Sequence, residues 1–302
     1  MKRTIVSLLF LLLVQCGLAA LLYWPGNSDT GDARHLLDSR AALRVDAIRI
    51  ADDRDNEVLL QNLHGRWVLP DLHNLPADHA HIQELIDTLT RPPRGFPVAE
   101  SAAARQRFRV ASYHYKRRLT FLGNGEALAT IYLGRSPAYR AVYARSDSYP
   151  AIYRLQYNNH DAPATPDAWL DPGLLAIEGP RAIAIDGTQL RRDDQGRWRG
   201  AAGSAPEPRE LAALLDALAT LTVQGLADED AQRSLAESGR AARRLRVEYN
   251  GQSILLELFR DGERYYVHDS RYPPFLSLSR RQYQRLMDID IASLAPLIDT
   301  NN

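Results

Sequence analysis

Histidines and carboxylates concentrate in one short stretch of the chain, where they could form a metal site. Imidazole nitrogens and carboxylate oxygens are ligands for zinc and related ions. The candidates are His64, Asp71, His73, Asp78, His79 and His81. Against a metal centre, His79 and His81 would project about 200° apart on a helix, and the His-Glu-x-x-His spacing of metalloproteases is absent. The alternative is an exposed polar helix start, so we predict no metal, cofactor or catalytic residue.

Tyrosines are a second group of candidates. Eight of them lie between residues 44 and 157: Tyr113, Tyr115, Tyr132, Tyr139, Tyr143, Tyr149, Tyr153 and Tyr157. Aromatic rings stack on sugars and line peptide grooves, so contact with a glycan or peptidoglycan is one interpretation. Tyrosine at alternating strand positions is more often a half-buried sheet residue, and we expect that role here.

The basic triplet Lys116-Arg117-Arg118 is a third candidate, because it could meet an anionic partner. Charged side chains are also the ordinary protection of an exposed edge strand. We expect the triplet to lie on such a solvated edge.

Several motifs of catalysis and nucleotide binding are missing from the sequence. There is no phosphate-binding Gly-x-x-x-x-Gly-Lys-Ser/Thr loop, no Gly-x-Ser-x-Gly elbow and no dinucleotide fingerprint. The chain therefore cannot supply the ATPase of a transporter.

Composition excludes further classes. The chain has 302 residues, with 37 basic and 37 acidic side chains, and proteins that follow nucleic-acid phosphates usually carry a basic excess. The charge is nevertheless uneven. Residues 44–158 contain 16 basic and 12 acidic side chains, whereas residues 173–302 contain 17 and 19. The first part is thus the one better suited to an acidic partner or a lipid surface.

Residues 4–24 form a run of 21 uncharged residues that follows Lys2 and Arg3. As a helix this run would rise about 31 Å, enough to cross the hydrocarbon layer, and the preceding positive charges would keep the N-terminus cytoplasmic. We predict a transmembrane anchor at 1–24 that contacts membrane lipid through residues 4–24. A polar tether over 25–43 would follow it.

Two alternatives to an uncleaved anchor stay open. Gly17-Leu18-Ala19 could be the cleavage site of a secretory signal, and Cys16 could be the lipidated residue of a lipoprotein. The lone cysteine fits all three, since an exported body without cysteine forms no internal disulfide.

Beyond the tether, the chain repeats itself in order. Gly65-Arg66-Trp67 recurs as Gly196-Arg197-Trp198, and Tyr149-Pro150 recurs as Tyr272-Pro273. A helical stripe at 82, 85, 86 and 89 recurs at 211, 214, 215 and 218. The ordered matches indicate an internal repeat. We predict a first module at 44–157, a linker at 158–172 and a second module at 173–302.

Each module has the pattern of an α+β fold. Runs rich in branched and aromatic residues between turn signals predict antiparallel strands at 45–50, 57–61, 67–69, 118–122, 127–133, 141–145 and 151–155. Pro76-Ala77-Asp78 begins a helix that Pro92-Pro93 ends, and a short helix follows near 100–108. The predicted architecture is an N-terminal transmembrane helix followed by two similar modules, each an antiparallel sheet with one or two packed helices. Trp169-Leu170 and Leu174-Leu175 would pack between the modules.

The sequence also resembles a bacterial family called domain of unknown function 4340. The resemblance lies in Phe96-Pro97-Val98-Ala99, in residues 129–137, in Val142-Tyr143-Ala144-Arg145 and in residues 162–171. It extends over residues 44–290. It implies a membrane-anchored extracytoplasmic protein whose gene often lies beside those of gliding-motility-type ABC transporters, and it carries over no catalytic residue.

Together these features predict a single-pass protein of the bacterial inner membrane with a periplasmic body. We expect a non-enzymatic accessory subunit of an ABC-type transport or motility-like complex, acting by protein contact through its sheet faces or the groove between the modules. The alternative is an envelope enzyme, or a ligand- or metal-binding receptor, with its site between the modules. A structural spacer is a third possibility.

Overall fold

The computed structural model describes residues 35–93, 95–200, 203–238 and 240–294. The predicted anchor and most of the tether lie outside these residues. Among the helices in the described ranges, none combines the length and the apolar character needed to cross a membrane.

The first sheet has eight antiparallel strands in the order β10-β9-β8-β7-β1-β2-β3-β4. The strands are β1 (Ala47–Asp52), β2 (Glu57–Leu63), β3 (Arg66–Leu69), β4 (Leu75–Pro76), β7 (Arg117–Gly123), β8 (Glu126–Leu133), β9 (Val142–Ser146) and β10 (Tyr153–Leu155). A separate ribbon pairs β5 (Val110–Ala111) with β6 (His114–Tyr115). Ile48 of β1 stands opposite Leu60 and Phe121, and all three are fully buried, so alternate residues face the core.

Helices cover both faces of this sheet. They are α1 (Ser39–Ala42), α2 (His79–Thr90) and α3 (Ala102–Phe108). The stripe at 82, 85, 86 and 89 buries one side of α2 against the main core. The short helix α3 lies on the opposite face, where Ala104 packs with Val110, Tyr132 and Ile152. Helix α2 therefore lies on the side of the sheet that faces the main core. Helix α3 lies on the opposite side, which we call the outer side.

The second sheet also has eight antiparallel strands, in the order β14-β18-β17-β16-β15-β11-β12-β13. The strands are β11 (Ala182–Ile185), β12 (Thr188–Arg192), β13 (Trp198–Arg199), β14 (Gly225–Leu226), β15 (Arg243–Tyr249), β16 (Gln252–Asp261), β17 (Arg264–Asp269) and β18 (Leu276–Leu278). The helices are α4 (Pro208–Ala219), α5 (Glu229–Ser238), α6 (Arg280–Met287) and α7 (Ile291–Leu294). Helix α4 packs in the main core, whereas α5 packs with Phe259 and Tyr266 in a separate cluster.

The two sheets share the order of seven strands. From one end to the other the corresponding pairs are β10 and β18, β9 and β17, β8 and β16, β7 and β15, β1 and β11, β2 and β12, and β3 and β13. They differ at their edges, because β4 extends the first sheet beyond β3 and β14 extends the second beyond β18. The predicted α+β class with antiparallel sheets is confirmed.

One apolar cluster runs from the first sheet to the second through the segment between them. Trp169, Leu170, Leu174 and Leu175 are all buried in it. Two short 3-10 helices, Asn159–Asp161 and Pro166–Trp169, lie within the predicted linker. The linker is therefore part of the packed body.

Two local expectations are wrong. Helix α2 begins at His79, not at Pro76, because Pro76 pairs with Val68 in an edge strand and Asp78 accepts a hydrogen bond from the His81 amide as the N-cap. Residues 35–43, assigned above to the tether, belong to the folded body. Leu36 and Leu37 are buried, and the Leu37 amide donates to the Leu89 carbonyl at the end of α2.

Candidate functional site

The predicted histidine and carboxylate group is dispersed in the structure. His64 and His73 lie exposed in turns with positive φ, and His79 is exposed at the first residue of α2. No group of three or more metal-ligating side chains with suitable geometry occurs within the described ranges. His81 makes a tertiary contact with the linker, and that contact is structural.

His81 joins α2 to the linker. Its ring stacks on Trp169 at 4.2 Å between centroids, and its Nε2 lies 2.8 Å from the Asp161 carbonyl oxygen. Trp169 is fully buried and donates from Nε1 to the Pro163 carbonyl at 2.8 Å. Backbone bonds tie the same strip together, from Asp78 N to Trp169 O and from Asp171 N to Pro76 O. At this place the junction of linker and first sheet is filled by side chains.

The basic triplet does not lie on an edge, so that expectation is wrong. Strand β7 stands between β1 and β8. Lys116 donates to Asp53 at 2.5 Å, Arg117 donates to the Ala162 carbonyl at 2.7 Å, and Arg118 lies 3.6 Å from Glu57. Because each of the three side chains already contacts an oxygen of the chain, the triplet has few free donors for a partner.

Most of the tyrosines have structural places. Tyr132 and Tyr157 are buried, and the Tyr157 hydroxyl donates to the Asp161 carbonyl at 2.6 Å. Burial raises the pKa of Tyr157 above its ordinary value. Tyr113 and Tyr139 differ, since 75% and 90% of their surfaces are exposed. Both lie in turns beside α3, so the exposed tyrosines are on that side of the first sheet.

Four arginines lie on the segments that also carry Phe108, Tyr139 and Tyr143 on this side, and a fifth, Arg154, lies on the strand beside Tyr143. We call the group the basic-aromatic surface; it consists of Arg107, Phe108, Arg109, Arg135, Tyr139, Arg140, Tyr143 and Arg154. The Phe108 and Tyr143 rings lie 4.3 Å apart, and the Arg107 guanidinium lies over Phe108 at 4.7 Å. The Arg135 amide donates to the Phe108 carbonyl at 2.9 Å, and Arg154 stands opposite Tyr143 between β9 and β10.

These arginines have no counter-charge of their own. The segments 101–110, 134–143 and 150–157 contain no Asp or Glu. None of the five guanidiniums forms an ion pair with a carboxylate in the described part of the chain. The surface therefore carries a local excess of positive charge. Its like charges repel one another unless a partner or counterion is present.

A buried arginine supports the surface from below. Only 4% of Arg145 is exposed; its Nε donates to the Val110 carbonyl at 2.9 Å and its Nη1 to the Ser146 carbonyl at 3.0 Å. The guanidinium also lies over the Tyr132 ring at 4.9 Å. Burial, and then the charge of nearby Arg105, lowers the pKa of Arg145 from its ordinary value. Arg145 therefore joins the segment after α3 to β9.

Backbone packing fixes the turn that presents Arg135 and Tyr139. A Cβ at Gly134 would lie 2.1 Å from the Phe108 carbonyl oxygen, so only glycine lets β8 pass this close to the end of α3. Arg109 and Arg140 both adopt positive φ. Close packing thus sets the backbone position of the turn that carries Arg135 and Tyr139.

Chemically, this surface can bind anions and stack on flat groups. Guanidiniums make bidentate hydrogen bonds to carboxylates, and arginine and tyrosine are enriched where protein contacts are strongest. No side chain here is paired as a nucleophile with a base. The arrangement is that of a binding surface.

A family model described as Domain of unknown function (DUF4340) matches residues 67–238, more than half of the chain. The chain belongs to this family. The match runs from β3 to the end of α5, so the DUF4340 region contains the whole basic-aromatic surface and the linker. No curated protein and no solved structure matches this DUF4340 chain.

Sequence reasoning missed this surface as a site. Its arginines come from three segments that are separate in sequence and meet only because β8, β9 and β10 are neighbours beside α3. The available signal was the basic excess of residues 44–158, combined with three segments free of acids.

Proposed function

We propose that this DUF4340 chain is a non-enzymatic accessory subunit of an ABC-type transport or motility-like complex, and that it binds an acidic protein partner through the basic-aromatic surface. Residues 4–24 would hold it in the bacterial inner membrane, with the folded body in the periplasm. The observation that carries the proposal is the set of five arginines that lie on or directly beside the segments of Phe108 and Tyr143 and form no ion pair within the described residues.

Electrostatics supports a protein contact of this kind. Complementary charge across an interface speeds encounter and suppresses wrong partners, whereas exposed charges that are already paired contribute little. A partner with a carboxylate-rich face would neutralise the five guanidiniums and cover the exposed Tyr139 ring. Tyrosine supplies large contact area at low entropic cost, so Tyr139 is suited to the centre of such a contact.

Three candidates from the histidine, carboxylate and tyrosine groups support the proposal that the chain is not an enzyme. Asp78 caps α2, His81 stacks on Trp169, and Tyr157 bonds the linker. Each has a structural task that accounts for its presence. The association with transporter complexes rests on the family resemblance, and the membrane position rests on the uncharged run at 4–24.

We also propose that the two sheets descend from one duplicated module. The shared order of seven strands and the ordered sequence matches support this. After a duplication, both copies can keep the same core while the surface of one copy changes. Partner binding by the first module alone is consistent with that history.

Site-specific photocross-linking in the native envelope would test the proposal. A photoreactive phenylalanine analogue replaces Tyr139 at the β8–β9 turn, and in a second strain it replaces Asp261, the last residue of β16 before the matching β16–β17 turn. Both positions are exposed, so incorporation should leave the fold intact. We expect Tyr139, and not Asp261, to yield a discrete adduct with a transporter component, identified by mass spectrometry.

Two results would overturn the proposal. Equal adducts from both turns would remove the special place of the first module. A discrete adduct from Tyr139 that contains a protein unrelated to transport would leave the surface as a binding site but exclude the proposed complex.

A further inference from the structure

A shallow trough lies on the face of the second sheet opposite the buried Ile183 and Ile185 of β11. It has a volume of about 500 Å³. Two alanines of β11 form its floor, and side chains of β12, β13 and β15 form its walls. The residues that matter are Ala182, Ala184, Gln189, Arg191, Arg199 and Arg246.

Strand register explains why a trough exists here. Ala184 lies between Gln189 of β12 and Arg246 of β15, and Ala182 lies between Arg191 and Glu248. Long side chains therefore stand on both sides of a strand that carries only methyl groups. Cross-strand neighbours are about 5 Å apart, so the gap across β11 is wide enough for a carboxylate.

The corresponding place on the first sheet is filled. There Arg49 stands on the central strand between Leu59 and Thr120, and its Nε lies 3.3 Å from Glu57. By the order of strands and the repeat, Arg49 matches Ala184. The second sheet thus has an alanine where the first has an ion-paired arginine. The arginine beside this alanine, Arg246, lies on the neighbouring strand β15.

The walls carry unequal charge. Within the described part of the chain, Arg246 has no ion-pair or hydrogen-bond partner for its guanidinium. Arg191 lies 3.6 Å from Glu248 with both side chains largely exposed, and Arg199 Nε lies 3.4 Å from Asp193. The β15 wall therefore offers the guanidinium of Arg246 beside the Glu248 carboxylate, which reaches across Ala182 to Arg191. The other wall offers two guanidiniums, of Arg191 and Arg199, whose contacts with carboxylates are long and exposed.

We propose that this trough binds a small organic dicarboxylate. One carboxylate accepts hydrogen bonds from Arg246 and the Gln189 amide above Ala184. The second accepts from Arg199 and from Arg191, which exchanges its exposed contact with Glu248 for the ligand. The methylenes between the two carboxylates lie on the methyl groups of Ala182 and Ala184. An apolar floor between cationic walls favours an organic acid over an inorganic anion, because inorganic ions cannot use the methyl surface.

Calorimetric titration of the full-length chain in detergent tests this proposal. The probes are succinate, glutarate and adipate, with acetate and inorganic phosphate as comparisons at equal ionic strength. We expect one dicarboxylate to bind at millimolar or lower concentration with a stoichiometry of one. Arg246→Gln should weaken it about tenfold, the loss expected for one charge-assisted bond.

Ala184→Arg is the second variant. It restores the residue of the first sheet and should block the trough, while Arg49→Ala on the first sheet should leave binding unchanged. Thermal unfolding verifies that each variant folds. Binding that survives both Arg246→Gln and Ala184→Arg would overturn the proposal. So would phosphate binding as tight as that of the best dicarboxylate, or no dicarboxylate binding at millimolar concentration.

Discussion

The outer helices α3 and α5 occupy matching places on the two sheets but carry opposite surroundings. Each begins with a capped turn and packs an alanine, Ala104 or Ala231, onto its sheet. Segments 101–110 and 134–143, around α3, contain five arginines and no acid. Segments 228–237 and 259–266, around α5, contain three arginines and six acids.

The arginines near α5 are paired within the chain. Arg264 lies 2.8 Å from Asp228, Arg260 lies 3.1 Å from Glu263, and Arg233 pairs with Asp230. The three arginines around α5 are thus paired with carboxylates, whereas the five around α3 form no ion pair within the described residues. The fold alone therefore does not determine what the face around an outer helix binds. The same strands and helix carry paired arginines in one module and arginines without an ion pair in the other.

The largest expected effect comes from removing the support below α3. Arg145→Met leaves the Val110 and Ser146 carbonyls without their buried donor and should lower the free energy of unfolding by about 3 kcal/mol. The matching residue on the second sheet is His268, which is partly exposed and lies 3.7 Å from Glu257. His268→Met should cost less than about 1 kcal/mol. Urea unfolding followed by tryptophan fluorescence compares them, and equal losses would mean that Arg145 has no special supporting role.

The helix caps should give a smaller effect that separates the two faces. Ser101→Ala and Asp228→Ala each remove a cap and should cost about 1 kcal/mol. Asp228→Ala also frees Arg264, so it should show a further loss that added salt reduces. The salt dependence of the two unfolding midpoints measures this, and Asp228→Asn, which keeps a capping oxygen, is the control. A salt-dependent loss in Ser101→Ala would contradict the comparison.

The smallest expected effect is a loss of stability at acid pH that comes from one ion pair of the first sheet. The hydrogen bond from Lys116 lowers the pKa of Asp53 below its ordinary value. A lowered carboxyl pKa contributes stability above the unfolded value near 4, and that contribution disappears as the pH falls through the lowered value. Because the pair is partly exposed, we expect less than about 1 kcal/mol.

Lys116→Met should remove this acid dependence. The second sheet has Ala242 at the matching position, so Ala242→Ser should leave the dependence as it is. Unfolding midpoints at pH 7 and pH 3 distinguish the variants. An unchanged difference between the two pH values in Lys116→Met would show that the pair contributes nothing.

Periodicity and turn signals predicted much of the fold. The stripe at 82, 85, 86 and 89 placed α2, and the ordered matches paired segments that the two sheets use in the same order. Local patterns could not show that Pro76 belongs to a strand, because that depends on its partner Val68. They also could not show that β7 is central, because strand order depends on pairing between distant segments.

The site was less accessible to prediction for the same reason. The histidines are close in sequence, but turns with positive φ at His64 and His73 direct them apart. The arginines are distant in sequence, and three strands and one helix bring them together. Charge counted along the chain indicated the module that carries the basic-aromatic surface, and only the pairing of β8, β9 and β10 shows which residues form it.

The most direct test reverses charge on each module in a strain that carries the photoreactive residue at position 139. Arg107→Glu with Arg135→Glu changes the basic-aromatic surface at two exposed side chains that have no ion pair in the described part of the chain. Arg280→Glu with Arg281→Glu makes the same change in charge at the exposed first turn of α6, where acidic residues are tolerated.

We expect the first pair to reduce the adduct at position 139 about tenfold or more, and the second pair to leave it unchanged. Equal adduct yields from the two double variants would contradict the claim that the basic-aromatic surface holds the partner.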